Sequence, residues 1–396
     1  MSQSKVNKSS IKFRVLFWGN QGNVSYRAAS YLRQRNIECD LISLYDRFGK
    51  RNDPANVDPN FSHENTPCFK LTNGPFDDDF FKEAEQQYDL VFASGHKGIE
   101  TVERFDANAV PMIIHTTGPQ NIPSADKEER HKQEKLKGLH KASLILTAHL
   151  ETYARARLLD LGDKVRFQLP LLDINDVTHR TNESLHQELE TRYSKHDKVF
   201  AWFSRNLTDP ANPTYKGTEV FIEAAAKFFN ENKGVNVRII FGNHGPNAEE
   251  ALAMIQSHGL IEHVDILDHL EFPDLAAYLK LPNLVLFDNL VQGTISSGIF
   301  RDAMCLGTLL VRRMLEADTS LAYGERAPVI NASDVLSCYE AMKKTATMSQ
   351  AEMKEHQAYV LKWAKQSIHW EARVDKYIDV LREVIMRHKL LTSKYE

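Results

Sequence analysis

The sequence has few cysteines and no long hydrophobic run. Its four cysteines among 396 residues are far apart and form no CxxC pair. Cys39 and Cys305 lie inside apolar stretches, which is typical of buried thiols in a reducing compartment. No stretch approaches the roughly 18 consecutive apolar residues of a transmembrane helix, and the first residues lack the apolar segment of a signal peptide. The sequence therefore predicts a cytoplasmic protein.

An excess of basic charge is also absent. Lys and Arg number 49 against 53 Asp and Glu, which gives a net charge of −4. A nucleic-acid-binding domain normally carries a basic footprint, so this balance argues against that class of protein. The 16 histidines show no HxxxH or HExxH spacing, and we predict no metal site from them.

The first half of the chain alternates between buried strands and helices. Residues 12–18 predict a strand, residues 24–35 a helix and residues 37–44 a second strand, with a glycine-containing turn after the first. Such a βαβ unit is typical of a parallel sheet. Further apolar runs predict strands at 89–93, 110–114, 143–147 and 165–169. We expect residues 1–175 to form one α/β domain.

A second alternation follows a polar stretch. Residues 176–197 contain almost no large aliphatic side chains, and we predict a linker there that is partly helical. Strand and helix patterns then alternate over residues 198–345, which predicts a second doubly wound domain. Residues 346–396 have helical periodicity, and we expect these helices to pack back on the first domain.

Ligands of open α/β sheets bind beyond the carboxyl ends of the strands, so the turns there are candidate sites. The first turn contains Gly19 and Gly22 and leads into a helix N-terminus, which suits an anion. The third glycine of a dinucleotide-binding fingerprint is missing, which disfavours an NAD site. A tight turn without a ligand is the alternative interpretation.

A second candidate turn carries two positive charges. Arg205 follows the predicted strand at 198–203, and Lys216 opens the next helix. An arginine can bind a diphosphate in a bidentate manner, and a lysine adds a point charge, so the pair predicts an anion site. Either residue alone would be an ordinary surface charge.

A third candidate turn lies within residues 288–304. Gly293, Ser296, Ser297 and Gly298 stand at the start of a predicted helix. Their exposed amides and hydroxyls suit a phosphate at a helix N-terminus. The alternative interpretation is a plain serine N-cap followed by a solvated helix face.

The order of these elements is similar to that of glycosyltransferase family 4, the glycosyl transferases group 1 domain. The resemblance covers nearly the whole chain, with specific order and spacing across 200–310 and a looser match before residue 170. The matching elements are Arg205, Lys216-Gly217, Gly242-Asn243-His244-Gly245, Asp302 to Gly307 and Ser367 to Glu371, with loops at Ser94 to His96 and His115 to Gly118.

The resemblance implies a GT-B fold, in which two Rossmann-like domains face each other and a C-terminal helix crosses back to the first. It implies a retaining transferase that moves a hexosyl-type sugar from a UDP- or GDP-sugar to an acceptor hydroxyl, in polysaccharide or glycoconjugate synthesis. The acceptor would be a glycan, a lipid-linked molecule or a small molecule, and a lipid-linked one would bring peripheral contact with the inner membrane face. No cofactor and no metal are implied, because side chains and helix ends neutralise the diphosphate.

The resemblance also gives roles to individual residues. Arg205 and Lys216 would stabilise the leaving diphosphate, and His115 would act near the donor sugar or the acceptor. His96 would lie on the acceptor side. The residues implied in donor binding are Gly22, Gly242, Gly293, Ser296, Ser297, Gly298 and Asp302, the last through the ribose.

The Gly-rich turn departs from the family pattern. The family has two glutamates eight residues apart, whereas this sequence has Thr294 and Asp302. Two other functions therefore stay open. One is a sugar-nucleotide epimerase or hydrolase, which requires carboxylates in the cleft to move protons. The other is a donor-binding relative without turnover.

Overall fold

The computed structural model describes most of the chain. The described residues are 12–20, 23–44, 61, 69–72, 76–116, 136–148, 153, 156–210, 212, 215–291 and 297–393. Internal packing divides the chain into two compact units, residues 1–172 with 373–396 and residues 173–372.

The first unit is built on a parallel sheet of seven strands in the order β3-β2-β1-β4-β5-β6-β7. The strands are β1 Arg14–Trp18, β2 Glu38–Leu44, β3 Phe69–Thr72, β4 Leu90–Ser94, β5 Met112–Thr116, β6 Leu144–Thr147 and β7 Val165–Phe167. Strands β4, β5 and β6 are buried along their whole length, as apolar strands of a doubly covered parallel sheet are. The strand order reverses between β1 and β4, which leaves a crevice at their carboxyl ends.

The second unit contains a parallel sheet of six strands in the order β10-β9-β8-β11-β12-β13. The strands are β8 Lys198–Trp202, β9 Val237–Gly242, β10 Val264–Leu267, β11 Leu284–Phe287, β12 Leu309–Arg312 and β13 Ile330–Asn331. Here the order reverses between β8 and β11, because the chain adds β9 and β10 on one side of β8 and the later strands on the other. The two sheets confirm the predicted α/β class.

Helices connect the strands in both units. Those of the first unit include α1 Val24–Gln34, α2 Asp78–Gln87 and α3 Gly95–Thr101. Those of the second are α4 Ile174–His179, α5 Glu183–Tyr193, α6 Thr218–Glu231, α7 Ala248–Ser257, α8 Phe272–Leu279, α9 Gly298–Leu306, α10 Glu316–Tyr323, α11 Val335–Ala346 and α12 Gln350–Ser367. The last helix, α13 Trp370–Thr392, belongs to the first unit from Arg373 onward. Of the helices described, none combines the length and the apolar character needed to cross a membrane.

Aromatic side chains pack in the core of each unit beside the carboxyl ends of β1 and β8. In the first unit, Trp18 at the end of β1 contacts Phe105 edge to face, and its indole N–H donates to Thr101 Oγ1 at 2.7 Å. In the second unit, Trp202 at the end of β8 stacks on Phe221 of α6 with ring centroids 5.3 Å apart. These contacts anchor the last residues of β1 and β8 in the two cores.

Candidate functional site

A pocket of about 210 Å³ lies at the carboxyl edge of the second sheet, at its switch point. Five residues predicted from the sequence line it together: Arg205, Lys216, Gly242, Ser297 and Gly298. They come from the turn after β8, the last residue of β9 and the start of α9. The parallel sheet therefore brings residues up to 93 positions apart in the sequence to one place.

A buried carboxylate holds Lys216 in the pocket. Asp288 follows β11 and is fully buried, and its Oδ1 lies 3.3 Å from Lys216 Nζ. The Ser204 hydroxyl donates a hydrogen bond to the same oxygen. Its Oγ also accepts from Lys216 Nζ at 3.4 Å. The lysine side chain is only 19% exposed, so its ammonium is fixed rather than free in solvent.

A second cation approaches the other oxygen of the same carboxylate. Arg312 ends β12, is also fully buried and places Nη1 3.2 Å from Asp288 Oδ2. Burial raises the pKa of Asp288, but Lys216 and Arg312 outweigh burial, so the pKa lies below its usual value. The carboxylate is therefore ionised at neutral pH. Two cations, Lys216 and Arg312, therefore approach the two oxygens of this one carboxylate beneath the pocket.

The hydroxyl of Ser297 is part of this network. It accepts from Arg312 Nη1 at 3.1 Å and lies 3.4 Å from Asp288 Oδ2, and it makes no capping bond to helix α9. The first amides of a helix have no partner within it. A Cβ added to Gly298 would meet no described atom within 4 Å, so an anion can approach these amides closely.

The turns after β8 and β9 are locked to each other. The buried side chain of Asn206 accepts from Trp202 Nε1 at 3.2 Å and donates to the Gly242 carbonyl at 2.9 Å. Its backbone amide donates to the His244 carbonyl at 2.8 Å. Gly245 has a φ of 115°, and a Cβ there would lie 2.7 Å from the backbone of Asn206. Arg205 and Gly242 are therefore held by a rigid pair of loops.

Two histidines that the sequence reasoning gave no role also line the pocket. The rings of His244 and His269 lie 5.2 Å apart, after β9 and β10. Burial lowers the pKa of His244, and His269, Arg205 and Lys216 lower it further. A neutral imidazole results, which can donate or accept a hydrogen bond without adding charge. Asp268 lies beside His269 in the same lining.

The candidate residues of the first unit lie at the carboxyl edge of its sheet. His115 of β5 is buried, and its ring stacks on Phe92 with centroids 6.0 Å apart. The turn after β1 is packed against the turn after β4, because Gly19 has a φ of 83° and a Cβ there would lie 2.2 Å from the Ser94 carbonyl oxygen. His96 lies in α3, and its side chain is outside what the structure describes.

The remaining predicted residues stay predictions. Gly22, Gly293 and Ser296 lie outside the described residues. Asp302 lies on α9, four residues after Gly298, and is not among the described residues that line the pocket. No group of three or more His, Cys, Asp or Glu side chains able to hold a metal ion occurs within the described ranges.

No protein-family model matches the chain, and no curated protein sequence matches it. Solved structures do resemble it over nearly its full length. Alr3699/HepE from Anabaena in complex with UDP and glucose has a TM-score of 0.65 and 14% identity, covering 94% of this chain and 100% of that chain. A glycosyltransferase from Rickettsia africae has a TM-score of 0.64 and 11% identity, covering 94% of this chain and 99% of that chain.

An enzyme of a different described class has a similar structure. A putative UDP-N-acetylglucosamine 2-epimerase from Listeria monocytogenes has a TM-score of 0.57 and 10% identity, covering 95% of this chain and 98% of that chain. At such low identity these similarities show the fold. The chain has the α/β fold of the GT-B type.

Proposed function

We propose that this protein is a retaining glycosyltransferase, similar to family 4, that transfers a hexosyl-type sugar from a nucleoside-diphosphate sugar to an acceptor hydroxyl. The observation that carries the proposal is the meeting of Arg205, Lys216 and the N-terminus of α9 in one pocket at the switch point of the second sheet. Two side-chain cations and free helix amides suit a diphosphate.

In this proposal the pocket stabilises charge on the leaving group. As the bond between the sugar and the diphosphate breaks, negative charge grows on the phosphate oxygens. Lys216 is already positioned by Asp288, so it need not reorganise during the reaction. Preorganised charge of this kind supplies a large part of the rate of many enzymes.

The remaining residues have supporting roles in the proposal. Gly22, Gly242 and Gly293 allow close approach of the donor, and Ser296, Ser297 and Gly298 supply hydroxyl and amide donors. Asp302 binds the ribose. His115 acts at the donor sugar or acceptor, and His96 lies on the acceptor side. No metal is required, because cations and helix amides already neutralise the diphosphate.

The nature of the donor is supported by a structural neighbour, since HepE has a similar fold and was solved with UDP and glucose. We propose a UDP- or GDP-sugar donor. The acceptor is proposed to be a glycan, a lipid-linked molecule or a small molecule in polysaccharide or glycoconjugate synthesis. We propose that the reaction takes place in the cytoplasm, at the inner membrane face if the acceptor is lipid-linked.

A sugar-nucleotide epimerase is the second candidate, because a protein described as an epimerase shares the fold. Epimerisation needs carboxylates that exchange protons with the substrate. Asp288 does not fit that role, since it is buried between two cations and its pKa is lowered. Asp268 is the acidic residue of the described lining that remains for such a role.

A donor screen followed by product analysis separates these functions. UDP- and GDP-sugars are tested for thermal stabilisation, and a ligand at about 100 times its dissociation constant stabilises by about 2.7 kcal/mol. The best donor is then incubated with acceptors, and NMR identifies the product and its anomeric configuration. A transferred sugar with retained configuration supports the proposal. An epimerised donor favours the second candidate, and binding without any product indicates a relative that has lost turnover.

A further inference from the structure

The first unit contains a cavity of about 410 Å³ away from the edge at which its candidate residues lie. Its lining includes Ser143 and Leu144 at the start of β6, Lys164 and Arg166 at the start of β7, and residues of α13. These are the amino ends of the strands, whereas His115 lies near the carboxyl end of β5. The volume is within the range of small-molecule sites.

Positive charge predominates in the lining. Four cationic side chains, from Lys141, Lys164, Arg166 and Arg387, face two acidic ones, from Asp163 and Glu383. Arg166 and Glu383 neutralise each other, because both guanidinium nitrogens donate to the carboxylate, one at 2.6 Å. Asp163 is then the remaining acid against three cations.

The lysines of the cavity are bonded to neutral groups. Lys164 Nζ donates to the His140 carbonyl at 2.6 Å, and Lys141 Nζ donates to the Glu103 carbonyl. Neither Lys164 nor Arg387 forms a salt bridge within the part of the chain that the structure describes, although Arg387 lies near enough to Glu383 to lower the pKa of that carboxyl. The ammonium groups of Lys141 and Lys164 each keep N–H donors for a further acceptor, since a lysine has three such donors.

Lys164 and Arg387 also repel each other. The pKa of Lys164 is lowered, first by its partial burial and then by the positive charge of Arg387. His388 adds no charge to this side of the cavity, because burial lowers its pKa despite bonds to the carbonyls of Ala109 and Asn108. An anion between Lys164 and Arg387 would remove the repulsion and supply an acceptor to both.

We infer that this cavity binds the phosphate group of an anionic ligand through Lys164 and Arg387. Charge-assisted hydrogen bonds from two cations give a phosphate its usual protein environment. Leu391 lines the cavity and is 52% exposed, so an apolar part of the ligand finds a surface there. The source of the phosphate is either a soluble phosphate ester or a lipid headgroup. The inference concerns the first unit alone and does not rest on the proposed transferase function.

Calorimetric titration with inorganic phosphate tests the inference. The full chain carrying Arg205→Ala and Lys216→Ala is the reference, because those changes remove cations from the other pocket. Adding Lys164→Met and Arg387→Met should weaken phosphate binding by about tenfold or more, since two charge-assisted bonds are lost. The matched control adds Lys362→Met and Lys376→Met, two exposed lysines outside the cavity, and should leave binding unchanged.

Vesicle sedimentation distinguishes the two sources of phosphate. The unsubstituted chain, the Lys164→Met/Arg387→Met variant and the control pair are mixed with phosphatidylcholine vesicles, with and without phosphatidylglycerol. Sedimentation that requires phosphatidylglycerol and is lost only in the cavity variant identifies a lipid headgroup. Phosphate binding without such sedimentation identifies a soluble ester. If the cavity variant matches the control in both measurements, the inference is wrong.

Discussion

At the scale of single residues, Lys216 and Arg312 approach the two oxygens of one buried carboxylate, that of Asp288. Asp288→Asn keeps the side-chain shape and removes the charge that offsets both cations. We expect the free energy of unfolding to fall by about 3–5 kcal/mol, the usual cost of removing one partner of a buried ion pair. Urea denaturation measures this loss.

A double variant tests whether the stabilising effects of Asp288 and Arg312 depend on each other. Asp288→Asn combined with Arg312→Met removes the buried charge together with its buried partner, and most of the lost stability should return. If the decrease in the free energy of unfolding of the double variant equals the sum of the decreases in the two single variants, the two residues stabilise the fold independently.

Arg205 and Lys216 are predicted to act on the leaving group. Arg205→Ala and Lys216→Ala should each lower kcat/KM for the donor by about 100-fold or more, because each removes a positive charge at the pocket. Lys233→Ala, at an exposed position in the same unit, is the control and should leave kcat/KM unchanged. Turnover within about twofold of the parent in both pocket variants would place the anion site elsewhere.

The residues that stand at strand ends can be predicted from the sequence, whereas the side chains that support them cannot. Arg205 and Lys216 were predictable, because a parallel sheet brings the turns after its strands to one edge. The pairing of Arg312 with Asp288 was not, since Arg312 ends an apolar run and meets Asp288 only through the pairing of Phe287 with Val311. His244 and His269 come together in the same way, through the pairing of β9 with β10.

At the scale of elements, the turns after β8 and β9 depend on Gly245. Its φ of 115° is unfavourable for other residues, and a Cβ would press on the backbone of Asn206. Gly259 is a matched control, because its φ is 69° and a Cβ there would meet nothing within 4 Å. Gly245→Ala should destabilise the protein by about 3 kcal/mol, and Gly259→Ala by about 1 kcal/mol. Equal losses on urea denaturation would mean that the two loops are not locked together.

The polar stretch 176–197 shows why helices of low hydrophobicity are difficult to recognise. The structure places α4 and α5 there, with only Val177, Leu189 and Tyr193 of that stretch as large buried apolar side chains. Asn182 caps α5 by accepting from the Leu185 amide at 3.1 Å, and this cap is a local signal that the sequence does carry. The hydrophobic pattern alone does not distinguish these helices from an irregular linker between domains.

At the scale of the whole molecule, four partly buried histidines give the fold a pH dependence. Burial is the first cause that lowers the pKa of His244, His263, His356 and His388. The unfolded chain therefore binds more protons near the ordinary histidine pKa of about 6.5, and stability is lost as the pH falls through that value. We expect the free energy of unfolding to fall between about pH 7 and pH 5.

A histidine substitution checks the origin of this pH dependence. His356→Gln removes a partly buried histidine outside the pocket and should reduce the slope of stability against pH. Gln256→Ala changes an exposed side chain that carries no titrating group and should leave the slope as it is. Urea denaturation across this pH range measures both, and an unchanged slope in His356→Gln would assign the effect to other groups.

The measurement that tests the central claim most directly is calorimetric binding of UDP and GDP to the full chain. We predict that one of them binds the parent, and that Gly298→Val abolishes binding, because its side chain would fill the space in front of the α9 amides. Gly298→Ala should weaken binding less. Ser257→Val adds an apolar side chain at an exposed position of the same unit and should bind like the parent. Absence of binding to the parent, or equal binding to Gly298→Val and the parent, would contradict a nucleotide-sugar site in this pocket.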